Sequence, residues 1–225
     1  MSISRLAVFI ALVAVLFGGI SCKKVDAESP AAVNGAAVAE LRIRSMTFST
    51  RRPPEPGTLE QLRDLGVSHV TLIPFGYQRA FDSPSIRFDP DRRWFSESDS
   101  GITDLARRAG ELGMGTILKP HIWVGHHSTD GQQRDQIGFE DDAAWALWES
   151  SYREFILHYA DLATRIGADI FVVGTELATA AVDRPHFWEG LIQEVRGRFT
   201  GKLTYAANWY REYQSISFWP HLDFV

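Results

Sequence analysis

One unbroken apolar strand, four glycines that each separate a helix-patterned segment from a strand, and the lack of a glycine-rich phosphate loop predict an α/β fold for these 225 residues. The predicted architecture is an incomplete (β/α)8 TIM barrel, with about six of its eight strand–helix units. The apolar strand lies in residues 167–178, GADIFVVGTELA. Ile170, Phe171, Val172 and Val173 run together there, as strands buried on both faces do. The glycines are Gly66, Gly113, Gly167 and Gly201. An open doubly wound sheet would share this alternation. After the first strand, however, where its phosphate loop belongs, the chain reads Arg51-Arg52-Pro53-Pro54.

Residues 1–22 read as a signal peptide. Arg5 supplies a short positive region and residues 6–20 form an apolar run of secretory length. Gly19-Ile20-Ser21-Cys22 resembles a bacterial lipobox. Cys22 is the lone cysteine, so no internal disulfide accounts for it in an exported protein. The expected product is an exported, membrane-anchored lipoprotein, lipidated at Cys22. Cleavage after Val25-Asp26-Ala27 with plain secretion, or an uncleaved anchor, are the alternatives. Residues 23–39 are small, polar and aperiodic, as in a flexible tether, and the folded domain spans 40–225.

Within that domain the first strand is expected over 41–48. Thr58 and Gln61 fit a capping box, with Leu59, Leu62 and Leu65 on one side of the helix that follows. The second strand is expected over 67–74. Ser100 is placed to cap a helix carrying Ile102, Leu105, Ala109 and Leu112 inward, before a third strand over 114–119. Asp141 or Asp142 opens a long helix whose stripe is Trp145, Trp148, Tyr152, Phe155, Tyr159, Leu162 and Ile166. That spacing is what a buried helix face requires, and Gly167 ends it. After the fourth strand, Asp183 and Pro185 open a helix with Phe187, Leu191, Val195 and Phe199 inward, stopping at Gly201. The fifth strand spans 203–207, and 222–225 begins a sixth.

Hydrophobic residues make up 45% of the chain, enough for a sizeable core, and the formal charge is -5 with no Lys/Arg run. This argues against a nucleic-acid partner. The seven Trp and six Tyr either fill the core or line a sugar cleft, according to position.

At the carboxyl ends of the predicted strands stand Phe75, Tyr77 and Gln78; Lys119, His121 and Trp123; Thr175 and Glu176; Asn208 and Trp209. In a barrel such residues converge on one mouth. One carboxylate, amides, an imidazole, an ammonium and several rings suit a polyhydroxylated ligand better than a phosphate. Rings stack on sugar faces and polar groups read hydroxyls. Glycoside cleavage needs two flanking carboxyl groups. His121, His126 and His127 could instead ligate a metal, but the spacing matches no recognised motif. No metal or other cofactor is expected. Glu97, Glu140 and Glu149 read as a loop, a helix start and a helix surface.

These strand ends resemble glycoside hydrolase family 113, a clan A type family of (β/α)8 barrels with retaining endo-β-mannanase activity. The resemblance rests on Leu65-Gly66-Val67, Pro74-Phe75-Gly76-Tyr77, Leu118-Lys119-Pro120-His121, Val173-Gly174-Thr175-Glu176-Leu177, Tyr205-Ala206-Ala207-Asn208-Trp209 and Phe218-Trp219-Pro220-His221-Leu222-Asp223. It implies that Glu176 is the general acid/base, and that Tyr77, Lys119, His121, Arg134, Thr175, Asn208 and Trp209 bind substrate, a β-mannan or related oligosaccharide. Many clan A enzymes carry Asn where Thr175 stands, which leaves Asn208 as the candidate reader of the sugar 2-hydroxyl. Family members tend to carry Trp-Arg where this chain has Gln133-Arg134, so Arg134 keeps the contact without the ring. A non-catalytic carbohydrate-binding surface lipoprotein is the alternative of another class. An open-sheet enzyme for a phosphorylated ligand is a third.

The resemblance also implies a nucleophile from a seventh strand, beyond Val225. Asp223 stands at the wrong end of its expected strand to serve. The expectation is therefore a fragment, poorly soluble and inactive by itself.

Overall fold

The computed structural model describes residues 43–125, 134–210 and 212–225, which fall in the compact unit Leu41–Val225. The leader, Cys22, the tether, His126 and His127 lie outside the described residues. The elements run β1 (Ser45–Thr47), α1 (Thr58–Asp64), β2 (His69–Leu72), β3 (Phe75–Gln78), β4 (Ile86–Arg87), α2 (Asp99–Glu111), β5 (Gly115–Leu118), β6 (His121–Val124), α3 (Asp142–Arg165), β7 (Ile170–Thr175), α4 (Ala178–Asp183), α5 (Pro185–Arg196) and β8 (Lys202–Ala206).

The main sheet is parallel, in the order β1-β2-β5-β7-β8, with helices on its outer face: a partial α/β barrel. Two apolar groupings identify the faces. The large one packs sheet against helices and includes Leu72, Leu118, Phe171, Val173 and Leu203. The small one, Ile117, Ile170 and Val172 with Ile43 and Ala206 against it, lines the inner face. The apolar run at β7 is therefore buried on both sides, as its composition requires.

The second and third expected strands are each followed, beyond a proline, by a further strand the sequence did not suggest. Pro74 separates β2 from β3 and Pro120 separates β5 from β6. A proline nitrogen cannot donate to a ladder. The register nevertheless carries through, from Leu72 opposite Leu118 to Phe75 opposite His121. Lys119 N–H donates to Leu72 O at 2.9 Å and His121 N–H to Pro74 O at 2.9 Å, bridging the break. Beyond the prolines β3 and β6 continue as an upper sheet, closed by β4. Phe75, Tyr77, His121 and Trp123 share one face of it. Gly76, Gln78 and Ile122 share the other, toward α3.

The long helix keeps its predicted stripe. Trp145, Trp148, Tyr152, Phe155, Tyr159 and Leu162 are buried, and Ile166 packs at the edge. Asp141 is the N-cap, accepting from Ala144 N at 2.8 Å. Each such side chain is worth about 1.5–3 kcal/mol of burial, so Trp148→Ala would cost about 3–5 kcal/mol. Three of the buried rings have their polar handles paired: Tyr152 Oη donates to Val173 O, Trp188 Nε1 to Ala180 O, and Trp148 Nε1 to Gln78 Oε1. Most rings thus belong to the core, while Trp123, Trp209 and Tyr210 stay exposed.

Several local expectations are corrected. Gly57, not Thr58, is the N-cap of α1, with no side-chain capping bond. Leu65 is 76% exposed, because α1 has ended before it and Gly66 turns the chain at φ +82°. Ser98 rather than Ser100 caps α2, accepting from Gly101 N. Asp183 closes α4 instead of opening α5. That helix ends at Arg196, before Phe199 and Gly201. Gly201 is needed for close approach, since a Cβ there would lie 2.3 Å from the Phe199 ring. Residues 222–225 form no strand. The Asp223 carboxylate takes the Leu203 N–H at 2.7 Å, where a pairing strand would offer its carbonyl. Asp223 N donates to Leu203 O beside it.

Candidate active site

Glu176 follows β7 directly and has φ +54°, the only left-handed non-glycine among the described residues. Such a conformation costs a side-chain-bearing residue of order 1–3 kcal/mol and persists only where neighbours over-determine it. Here they do. Glu176 N–H donates to Ala206 O at 2.8 Å, and Leu177 N–H donates to Tyr205 Oη at 2.8 Å. The β7–β8 pairing shifts register between Val172 and Thr175, which re-aims the strand end. Gly174 is indispensable beneath it. A Cβ there would come within 2.7 Å of Trp188 and 2.8 Å of Tyr205.

The Glu176 carboxylate is 40% exposed and pairs with Arg134. Arg134 Nη2 and Nε donate to the same oxygen, Oε2, at 2.6 and 3.1 Å. Arg134 begins a 3-10 turn, Arg134–Gln136, anchored by fully buried Ile137 and by Thr179 Oγ1, which donates to Asp135 O.

Lys119 and His121 stand beside this pair at the break between β5 and β6. Burial lowers the Lys119 pKa; the Glu176 charge opposes this and Arg134 adds to it. Burial also pushes His121 down to about 3, helped by Lys119 and Arg134. His121 is thus a neutral imidazole under ordinary conditions, and its Nε2 is buried without a hydrogen-bond partner. So is the hydroxyl of Thr175. Buried polar atoms are normally paired. Two unpaired ones next to an exposed carboxylate leave hydrogen-bonding capacity for a polar ligand. Phe75 packs edge-on against both His121 and Trp123, at centroid distances of 5.7 and 6.0 Å. Trp123 is 49% exposed above them.

The other candidates are held by partners of their own. Tyr77 shares the inner face of the upper sheet, but its hydroxyl donates to Glu97 Oε2 at 3.1 Å. Arg92 bonds the same oxygen at 2.7 Å and lies 4.2 Å over the Tyr77 ring. Burial, then the Glu97 charge, raises the Tyr77 pKa. Asn208 follows β8 and bonds Glu212. Trp209 is 85% exposed, edge-on to Tyr210. Gln78 points away from the mouth and is buried against Trp148. Asp223 lies at the opposite end of β8, bound to Arg196 and Lys202. Among the described residues no group of three or more potential ligands is arranged to hold a metal.

The model of Glycoside Hydrolase Family 113 matches residues 47–225. This chain belongs to that family. Its fold also matches solved structures. One, described as a GH113 β-1,4-mannanase, is 26% identical at TM-score 0.68. The β-mannanase AaManA from Alicyclobacillus acidocaldarius, in complex with ManMIm, is 31% identical at TM-score 0.67. A complex of a GH113 β-1,4-mannanase is 27% identical at TM-score 0.65. Each match covers 80% of this chain, which spans only about 60% of the length of those structures. No curated protein matches.

Two acids of this family 113 chain escaped the sequence reading. Glu97 looked like a loop residue, yet it is 5% exposed, and burial raises its pKa against the pull of Arg92 and Tyr77. Glu212 drew no notice and is 3% exposed. Neither sits in a helical or strand period. The one available signal was its neighbourhood: Trp94-Phe95 before Glu97, Trp209-Tyr210 before Glu212.

Proposed function

We propose that this chain carries the acid/base half of a retaining glycoside hydrolase acting on β-1,4-linked mannan, with Glu176 as the general acid/base. The observation that carries this reading is Glu176 itself: a strained, half-exposed carboxylate at the carboxyl end of a barrel strand, where barrel enzymes keep their chemistry. Family membership and the mannanase descriptions of the similar structures support it. Glu176 would protonate the leaving glycosidic oxygen and then take a proton from the incoming water. Lys119, His121, Arg134, Thr175 and Asn208 would read hydroxyls, and Trp123 and Trp209 would offer ring faces. Tyr77 would serve as a wall rather than a hydroxyl donor, since Glu97 holds its Oη. The nucleophilic carboxylate, expected at roughly 5–5.5 Å from the acid, is assigned to no described residue.

The test is hydrolysis of β-1,4-mannan by the full-length protein, with the products resolved by chromatography. Shorter β-linked mannooligosaccharides support the proposal. Binding of mannooligosaccharide without turnover contradicts it in favour of a non-catalytic binding protein. For the leader we infer a lipid anchor at Cys22. Cys22→Ser should move the protein from the membrane fraction to the soluble exported fraction; unchanged membrane retention contradicts the anchor.

A further inference from the structure

The geometry points to Glu212 as a positioning residue that orients the Asn208 carboxamide toward a sugar hydroxyl beside Glu176. The inference rests on the carbohydrate reading of the site. Glu212 sits in the 3-10 turn after β8, Glu212–Gln214. Its Oε1 accepts the Asn208 backbone N–H at 2.8 Å and Asn208 Nδ2 at 3.3 Å. Its Oε2 is buried with no partner. No Lys, Arg or His among the described residues pairs with it. The turn that carries it is firm: Glu212 O accepts from Ser215 N at 2.8 Å and Ile216 N at 3.1 Å, and Ile216 and Phe218 lie in the core.

A buried carboxylate with no countercharge among the described residues is costly, and an apolar side chain of similar shape would usually fold at least as well. A purely structural role therefore accounts poorly for an acid here. What an acid supplies is direction. A carboxylate only accepts, so it selects the NH2 side of the Asn208 amide. Oδ1 is then turned away from it, and no group among the described residues bonds that oxygen. Asn208 lies two residues beyond Ala206, whose carbonyl holds the Glu176 N–H. Oδ1 is thus a fixed acceptor at the strand end beside the acid, suited to a hydroxyl of the sugar whose glycosidic oxygen Glu176 would protonate.

The experiment is a double-mutant cycle for binding of β-1,4-linked mannotetraose by calorimetry. It uses the full-length protein in a Glu176→Gln background that prevents turnover. Glu212→Leu should weaken binding about tenfold, the scale of one hydrogen bond to a charged or fixed group. Asn208→Ala should weaken it similarly, and the double variant no more than Asn208→Ala alone. Glu212→Gln, which keeps an acceptor, should restore most of the affinity, and serves if the Leu variant does not fold. Losses that add in the double variant, or no loss at all, overturn the proposal. A second readout needs no ligand. The Asn208 Nδ2 proton resonances should be distinct and protected from exchange in the parent protein, and should average in Glu212→Leu. If they do not change, Glu212 does not position Asn208. If they change while mannotetraose fails to bind, the positioning stands and the mannan reading falls.

Discussion

Arg134 directs both of its bonds to one oxygen of Glu176. Nη2 and Nε meet Oε2 at 2.6 and 3.1 Å, while Oε1 takes no bond among the described residues. The guanidinium fork thereby fixes the carboxylate through one oxygen and leaves the other without a bond among the described residues. A proton destined for a leaving group would sit on that free oxygen.

This arrangement predicts an asymmetry between substitutions of Arg134. Lysine keeps the charge but loses the fork. Misplacing a catalytic group by about 1 Å can cost about 10²-fold. Arg134→Met and Arg134→Lys should therefore both reduce kcat/KM on mannan, by about 10–100-fold, with lysine the milder. Equal activity of Arg134→Lys and the parent protein would show that the charge alone matters.

His121 gives a pH signature. Its pKa is about 3 in the folded protein, below the unfolded value of about 6.5. Between those values the unfolded chain binds more protons, so stability rises with pH. The contribution is full above about pH 6.5 and is lost as pH falls toward about 3. His121→Gln should flatten that part of the stability profile, measured by urea unfolding from pH 3 to 7. Arg134→Met should move the His121 titration upward in NMR, because one repelling cation is gone. A His121 that titrates near 6.5 contradicts the buried, neutral ring.

The left-handed backbone at Glu176 sets the order of two stability variants. Ala keeps the Cβ that the conformation penalises by roughly 1–2 kcal/mol. Gly removes it at an entropic cost of about 0.5–1 kcal/mol. Glu176→Gly should thus be the more stable, by about 0.5–1 kcal/mol in chemical unfolding. The reverse order would mean that the strain relaxes once the carboxylate is lost.

The frame of the fold was legible because its signals are periodic. The stripe from Trp145 to Leu162 and the apolar run from Ile170 to Val173 describe their own burial. Gly66, Gly113 and Gly167 do adopt the positive φ that ends a helix. Gly201 misled because a glycine kept for closeness to Phe199 looks the same in sequence as one kept for its backbone. The expected sixth strand failed for a similar reason. Apolar residues at 222, 224 and 225 suggested a strand, but the Asp223 side chain occupies the ladder donor. At the site, the alternation of strands and helices identifies the residues on strand ends but not their partners. Nothing in the spacing says that Glu97 reaches Tyr77, or that Glu212 reaches back four residues to Asn208. Those bonds are made by irregular loops, where no period exists to read.

The central claim is that Glu176 donates and recovers the proton in glycoside cleavage, and leaving-group dependence tests it most directly. The measurement is the rate of Glu176→Gln against the parent full-length protein, on β-1,4-mannan and on an aryl β-mannoside with an activated leaving group. On mannan the loss should be about 10²–10⁴-fold, the usual scale for a general acid/base, with the fold intact by circular dichroism. On the activated substrate the first step should lose far less, because its leaving group departs without a proton. Equal losses on both substrates, or unchanged hydrolysis of mannan, would contradict the assignment.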